Sequence, residues 1–193
     1  MLTEYDGKLV WQLTPTAGIK TTFTDNYALL GEASEKRSAF RVANALLKIS
    51  YTFEQISRAE RTTLLKTFKQ LKGAYENFYM RTFVCAYELV EDYNNDTTIK
   101  LKNVRLDLSF DTFVVGMGLY HDNFTAIPII TDATISNDVL TLTLDVEGGA
   151  SLPAGTPIEP IFEGRLAGDS LTFSLTDLDI SSTNLTFITA RLG

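Results

Sequence analysis

The chain has 193 residues, 45% of them hydrophobic, with 24 acidic against 17 basic side chains and a net charge of −7. That is enough apolar material for one large domain or two small ones, and the acidic balance excludes a groove that tracks phosphate backbones with clustered Lys and Arg, so no nucleic-acid partner is expected. No apolar run approaches the roughly 18 to 20 residues that span a bilayer as a helix, so no membrane insertion is expected. The opening "MLTEYDGKLVWQL" puts acids and a Trp where a secretory signal carries basic residues and a plain apolar stretch, which is the expectation for a protein made and held in a cytoplasm until it is assembled.

Residues 1 to 44 read as mixed: "LVWQL" is a short strand, "TPTAG" a turn, and "LLGEASEKRSAFRVAN" a polar loop or a short helix. From Ala45 a period of two sets in, with Leu47, Ile49, Tyr51 and Phe53 on one side and Leu46, Lys48, Ser50 and Thr52 on the other, which predicts a half-buried strand. Ser57 and Glu60 then stand at the S-x-x-E spacing of a capping box, so a helix is expected from about Arg58. Leu64, Leu65, Phe68 and Leu71 recur at three-to-four-residue intervals as its apolar stripe, and Arg61, Lys66, Lys69, Gln70 and Lys72 mostly occupy the other side. Gly73 is placed for a left-handed cap. The predicted helix spans 58–72 and lies flat on a sheet, with a basic face that is either solvated or paired with an acidic neighbouring subunit.

After the helix, "NFYMRTFVCAYELV", "TIKLKNVRLDLSF" and "TFVVGMGLY" read as strands joined by the turn-rich "EDYNNDT". In "VRLDLSF", Val104, Leu106, Leu108 and Phe110 alternate with Arg105, Asp107 and Ser109. A second run of strands follows a Pro break in "AIPII". "TISNDVLTLTLDV" places Leu140, Leu142, Leu144 and Val146 on one face, "EGGASLPAGTP" is a turn region, and "IEPIF", "SLTFSL" and "NLTFITARL" are the remaining strand candidates. The expected fold is α+β, mostly β: a strand–helix–strand N-terminal module packed with antiparallel strands, residues 1–125, followed by a β-sandwich or barrel-like half, residues 126–193. The boundary is soft, and one continuous domain is the alternative.

Chemistry-bearing motifs are few. The single cysteine, Cys85, excludes an internal disulfide and a thiolate zinc site; in the alternating "RTFVCAYEL" it reads as a small buried hydrophobe. The single histidine, His121, adjoins Asp122 with no nucleophile motif and no second imidazole, so no catalytic residue is assigned. Asp92, Asn94 and Asp96 match the start of a calcium loop, but Thr97 stands where the sharp turn needs Gly and Asn103 where the bidentate Glu belongs, so no metal site is assigned either. "GMG" at 116–118 lacks the third glycine and strand-to-helix setting of a phosphate loop. No cofactor is expected. In "EGRLAGDSLTF", Arg165 and Asp169 read as a surface ion pair or an edge-strand charge device.

Taken together, "ISYTFEQISRAERTTLLKTFKQLKGAYENF" and "GRLAGDSLTFSLTDLDISSTNLTFITARL" resemble the distal-tail or tail-tip adaptor proteins of long-tailed bacteriophages. In that family a strand leads into a helix patterned with Leu and aromatic residues that ends at a Gly, and an Arg, a short spacer, an Asp and an apolar strand lie near the C-terminus. The resemblance covers residues 40 to 90 and 160 to 192. It implies a structural virion protein rather than an enzyme: a homo-oligomeric ring, with a hexamer as the implied stoichiometry, joining the tail tube to the tail tip, baseplate or fibres, located in the virion and assembled in the host cytoplasm. The interface residues it points to are Arg61, Lys66, Lys69 and Lys72 on the helix with Arg165 and Asp169. Two other readings stand beside it. One is a β-sandwich that binds carbohydrate or a cell-surface ligand with Trp11, Tyr120 or His121 as stacking groups; the other is a hydrolase built on His121 and Asp122.

Overall fold

The alternation read from Ala45 continues in both directions as strand. The computed structural model describes residues 2–30, 38–72, 75–104, 115–177 and 179–189, and within residues 21–47 it describes the backbone alone. β1 (Leu2–Tyr5) and β2 (Lys8–Trp11) form a hairpin over Asp6 and Gly7, both at positive φ, the geometry that fits a two-residue turn to the twist of its strands. β3 (Gly18–Leu30) pairs antiparallel with β4 (Ser38–Ser57). The stretch expected as a polar loop or short helix is therefore strand at both of its ends, Leu29–Leu30 and Ser38–Asn44, and its middle lies outside the described residues. The reason is the pairing: "IKTTFT" and "LLKISYTF" are rich in β-branched and aromatic residues, and each supplies the other with a partner that neither sequence shows alone.

Helix α1 (Arg58–Gln70) follows at once. Its capping box forms as the spacing predicts: Ser57 Oγ accepts the Glu60 N–H, and the Ser57 N–H donates to Glu60 Oε2 at 2.7 Å. These bonds hold the Glu60 carboxyl below its ordinary value. We expect Ser57→Ala to lower stability by about 1 kcal/mol. Because Glu60 titrates lower in the folded chain, its share is present above the ordinary carboxylate pKa and fades as pH falls through the lowered one, so the melting temperatures of wild type and variant should converge toward acid. The helix ends earlier than read, with Leu71 as its cap and Lys72 at positive φ; the cap expected at Gly73 lies outside the described residues.

The remaining strands are β5 (Phe78–Arg81), β6 (Tyr87–Leu89), β7 (Tyr93–Asn94), β8 (Thr98–Asn103), β9 (Gly118–Tyr120), β10 (Ile130–Ser136), β11 (Val139–Leu144), β12 (Ser151–Leu152), β13 (Pro157–Leu166), β14 (Ser174–Leu175) and β15 (Ile180–Thr189). "TISNDVLTLTLDV" is a hairpin rather than one strand, since Asn137 and Asp138 both take positive φ and turn β10 into β11. The strand read over "RTFVCAYEL" breaks at Thr82–Ala86 between β5 and β6, and "SLTFSL" is strand only at β14. The alternation of Leu106, Leu108 and Phe110 lies outside the described residues.

The fold is α+β, mostly β, built on one large mixed sheet in which β2 and β5 are the parallel pair. Its main path runs β1-β2-β5-β13-β6-β8-β11-β10 and stays open, ending in β1 on one side and β10 on the other, so among the described residues there is no barrel closure. β13 organises it. Ile158 pairs with β6 and Ile161–Gly164 with β5 along one edge, while the other edge carries β9 and then β15, which in turn pairs with β4. Strands from both sides of residue 125 thus share the sheet. Gly164 is hydrogen-bonded into the ladder between β5 and β15, and a Cβ there would stand 2.3 Å from the Ile188 carbonyl oxygen and 2.6 Å from Met80 Cε, which leaves room for glycine alone.

α1 packs on β4 and β15, burying Leu64, Thr67 and Leu71. Leu65, read as part of the apolar stripe, is exposed, because it lies about 100° around the helix from Leu64. Beneath the helix, Ile49, Tyr51 and Phe53 face inward as the period of two predicts and meet Trp11, Phe78 and Phe187, with ring centroids 4.6 to 6.4 Å apart. Among the described residues no helix is long and apolar enough to cross a membrane.

Candidate interface

The sheet's interior charge sits where β5 gives way to β6 beside β13. Arg81 closes β5, and its Nη2 and Nε donate to Glu159 Oε2 at 2.6 and 2.9 Å, while Nη1 reaches Gln12 at 3.0 Å. The other carboxylate oxygen, Oε1, accepts the N–H of Phe83, a residue held at φ 54° as the chain crosses from one strand to the next, and Thr82 Oγ1 donates to the Pro160 carbonyl. The guanidinium lies 4.0 Å over the Tyr120 ring, and Tyr51 OH donates to the Arg81 carbonyl. Burial raises the Glu159 carboxyl above its ordinary range, outweighing the guanidinium and the backbone donors that pull the other way. Arg81 itself is raised through its bonds to Glu159, against the opposing effect of burial, which is individually the largest influence on it. With Glu159 only 3% exposed and each guanidinium nitrogen of Arg81 donating to a neighbour, this cluster closes the gap between two strands.

The ligand-binding and catalytic candidates do not converge. Trp11 is 1% exposed and donates its indole N–H to Leu13, and Tyr120 is 4% exposed under Arg81, so neither offers a face for stacking. His121 Nδ1 accepts the Asn123 N–H, while Asp122 accepts from Tyr120 OH, so each ring or carboxylate is turned into its own loop. Cys85 is exposed in the Thr82–Ala86 crossing, correcting its reading as a buried strand residue; the break in the strand turns it outward. Asp92 and Asp96 bond the N–H groups of Ala154 and Thr97 and hold turns, and no group of three potential metal ligands occurs among the described residues.

The interface candidates do converge in part. The second half of α1, the chain after it, and the segment following β13 enclose a groove. One end, 280 Å³, is lined by Phe68, Leu166, Gly168, Ser170 and Leu185. The other, 470 Å³, lies between Phe68, Lys69, Lys72, Tyr75 and Asp169. Lys69, Lys72 and Asp169 are therefore brought to one place, 97 positions apart in the case of Lys72 and Asp169. Arg61 and Lys66 lie further along α1, and Arg165 is exposed on β13, where it pairs in register with Ile188. Lys72 donates to Glu76 at 2.6 Å, a bond that raises its pKa. Arg58, Arg61, Leu65 and Lys69 recur at helical spacing along α1, so the apolar Leu65 sits among cations. Phe68, read in the apolar stripe, is half-buried and packs against the core while one side of it lines the groove. Tyr75 escaped the sequence reading; 80% exposed, it follows the helix with no periodicity to mark it. No protein-family model and no curated protein matches the chain.

Proposed function

We propose that this chain is a structural protein of a phage tail, an adaptor subunit that assembles into a ring joining the tail tube to the tail tip, baseplate or fibres. The observation that carries the reading is the β3–β4 arm. β15 covers β4 only from Lys48 onward, so along Phe23–Leu30 and Ser38–Leu47 the two strands pair with each other and with no third strand among the described residues. Eight to ten residues of strand reach about 25–30 Å, and a two-stranded ribbon of that length is marginal in water unless something packs against it. A neighbouring subunit meets that need, and the bulges at Asn26 add the twist that lets a ribbon wrap. The cationic outer stripe of α1, in a chain of net charge −7, is a second surface suited to association.

Light scattering after size exclusion tests this. We expect a discrete multiple of 21.4 kDa whose population grows with protein concentration. A strict monomer at every concentration, alone and mixed with a phage tail-tube protein, would count against an adaptor.

A further inference from the structure

We infer that the ring contact is head-to-tail: the α1 groove of one copy receives the acidic loops at the far end of β13 of the next. The inference rests on the ring reading above and names the surfaces that would build it.

β13 has two chemically opposite ends. At its C-terminal end Leu166 and the residues after it line the groove beside α1. Between Arg58 and Lys72 the chain carries five cations and one carboxylate, Glu60, which is engaged in the capping box. Among the described residues, Arg58, Arg61, Lys66 and Lys69 make no ion pair within the chain. Exposed Leu65 and Tyr75 give the same surface apolar anchors.

At the N-terminal end of β13 the loops around β7 and β12 are held together by backbone pairing and a side-chain bond. The Gly155 N–H donates to the Leu89 carbonyl, Ser151 and Leu152 pair with Asn94 and Tyr93, and the Gly149 N–H donates to Asn95 Oδ1. These bonds present Glu91, Asp92, Asp96 and Glu147, all exposed, with Lys100 as the nearby cation that bridges Glu91 at 3.1 Å. Val90, 40% exposed, sits among them as an apolar counterpart to Leu65 and Tyr75.

The ten residues of β13 separate the two surfaces by about 30 Å of extended strand, too far for either to neutralise the other within one copy. Between copies they meet without conflict. Contacts of this kind, one surface against a different surface of the next molecule, are those that close into rings, whereas a two-fold contact through either surface alone would set like charges against each other. Complementary ends also fix orientation and suppress the inverted pairing.

The test reverses the charge of one end at a time, avoiding the capping carboxylates Asp92 and Asp96. The variant Arg61→Glu/Lys69→Glu has two acidic ends, and Glu91→Lys/Glu147→Lys has two basic ends. Lys69, Glu91 and Glu147 are exposed and Arg61 is half-buried, and thermal melts matching wild type establish that each variant folds. By sedimentation velocity we expect wild type to assemble, each double variant alone to weaken association at least tenfold, and an equimolar mixture of the two to recover it. Raising salt to 1 M, where the screening length drops to about 3 Å, should dissociate the wild-type assembly. Assembly of both variants at wild-type strength, or a mixture that stays dissociated, would overturn the head-to-tail contact while leaving the ring standing. A wild-type chain that stays monomeric would overturn the ring reading and this contact with it.

Discussion

Trp11→Ala is expected to cost about 3–5 kcal/mol, the range for removing a fully enclosed large aromatic side chain. Trp11 ends the short strand β2, yet it sits against Tyr51 from β4, Phe78 from β5 and Phe187 from β15, at centroid distances of 6.1, 6.0 and 5.3 Å. Three strands that are far apart in the chain converge on one ring. Alanine would leave a cavity at that convergence, and the hydrogen-bonded sheet cannot collapse into it without shifting its ladder. Trp11→Phe keeps most of the volume and loses the indole bond to Leu13, so it should cost about 1 kcal/mol. Chemical denaturation of the two variants measures the difference. Equal small effects would place Trp11 at the surface, where the stacking role considered from sequence would again be open.

Glu159→Ala is expected to destabilise by a similar amount, about 3–5 kcal/mol, because it leaves the Arg81 guanidinium without its carboxylate in a partly buried site. It also strands the Phe83 N–H, the donor that holds the positive-φ crossing between β5 and β6. The charge and the cavity are separable. In the double variant Arg81→Met/Glu159→Leu no buried ion remains, and most of the loss should be recovered; additive losses would mean that the pair is not coupled. The pH dependence has a defined sign. Burial holds the Glu159 carboxyl above its unfolded value, so its favourable contribution is complete below the unfolded pKa and is lost as pH rises through the raised one. Relative to Glu159→Gln, wild type should therefore lose stability across that window, as read from paired thermal melts.

Much of the local structure was legible in the residues themselves. The Ser57/Glu60 spacing marks the start of α1, and the alternation of Ile49, Tyr51 and Phe53 marks their buried face. Leu140, Leu142 and Leu144 likewise point inward from β11. These signals are visible because each depends on neighbours within about four positions, where the geometry of a helix turn or a pleat sets the spacing.

What stayed hidden depends on partners distant in the chain. β3 lies in a stretch that read as mixed and becomes a strand by pairing with β4, and of Leu64 and Leu65, both read into the apolar stripe, the seating of α1 on the sheet buries Leu64 alone. The candidate interface shows the same division: Lys69, Lys72 and Asp169 were named from the sequence as interface residues, and the groove that brings these three to one place exists only where α1 lies beside the segment following β13. By itself the sequence determined composition, charge, the helix with its cap, and which strand faces are apolar. The tertiary structure alone decided the order of strands, the central place of β13, and the burial of Arg81 and Glu159 at a strand crossing, because those follow from hydrogen bonds and packing between residues up to 140 positions apart, as Lys48 and Ile188 are, whose energies no short window of residues contains.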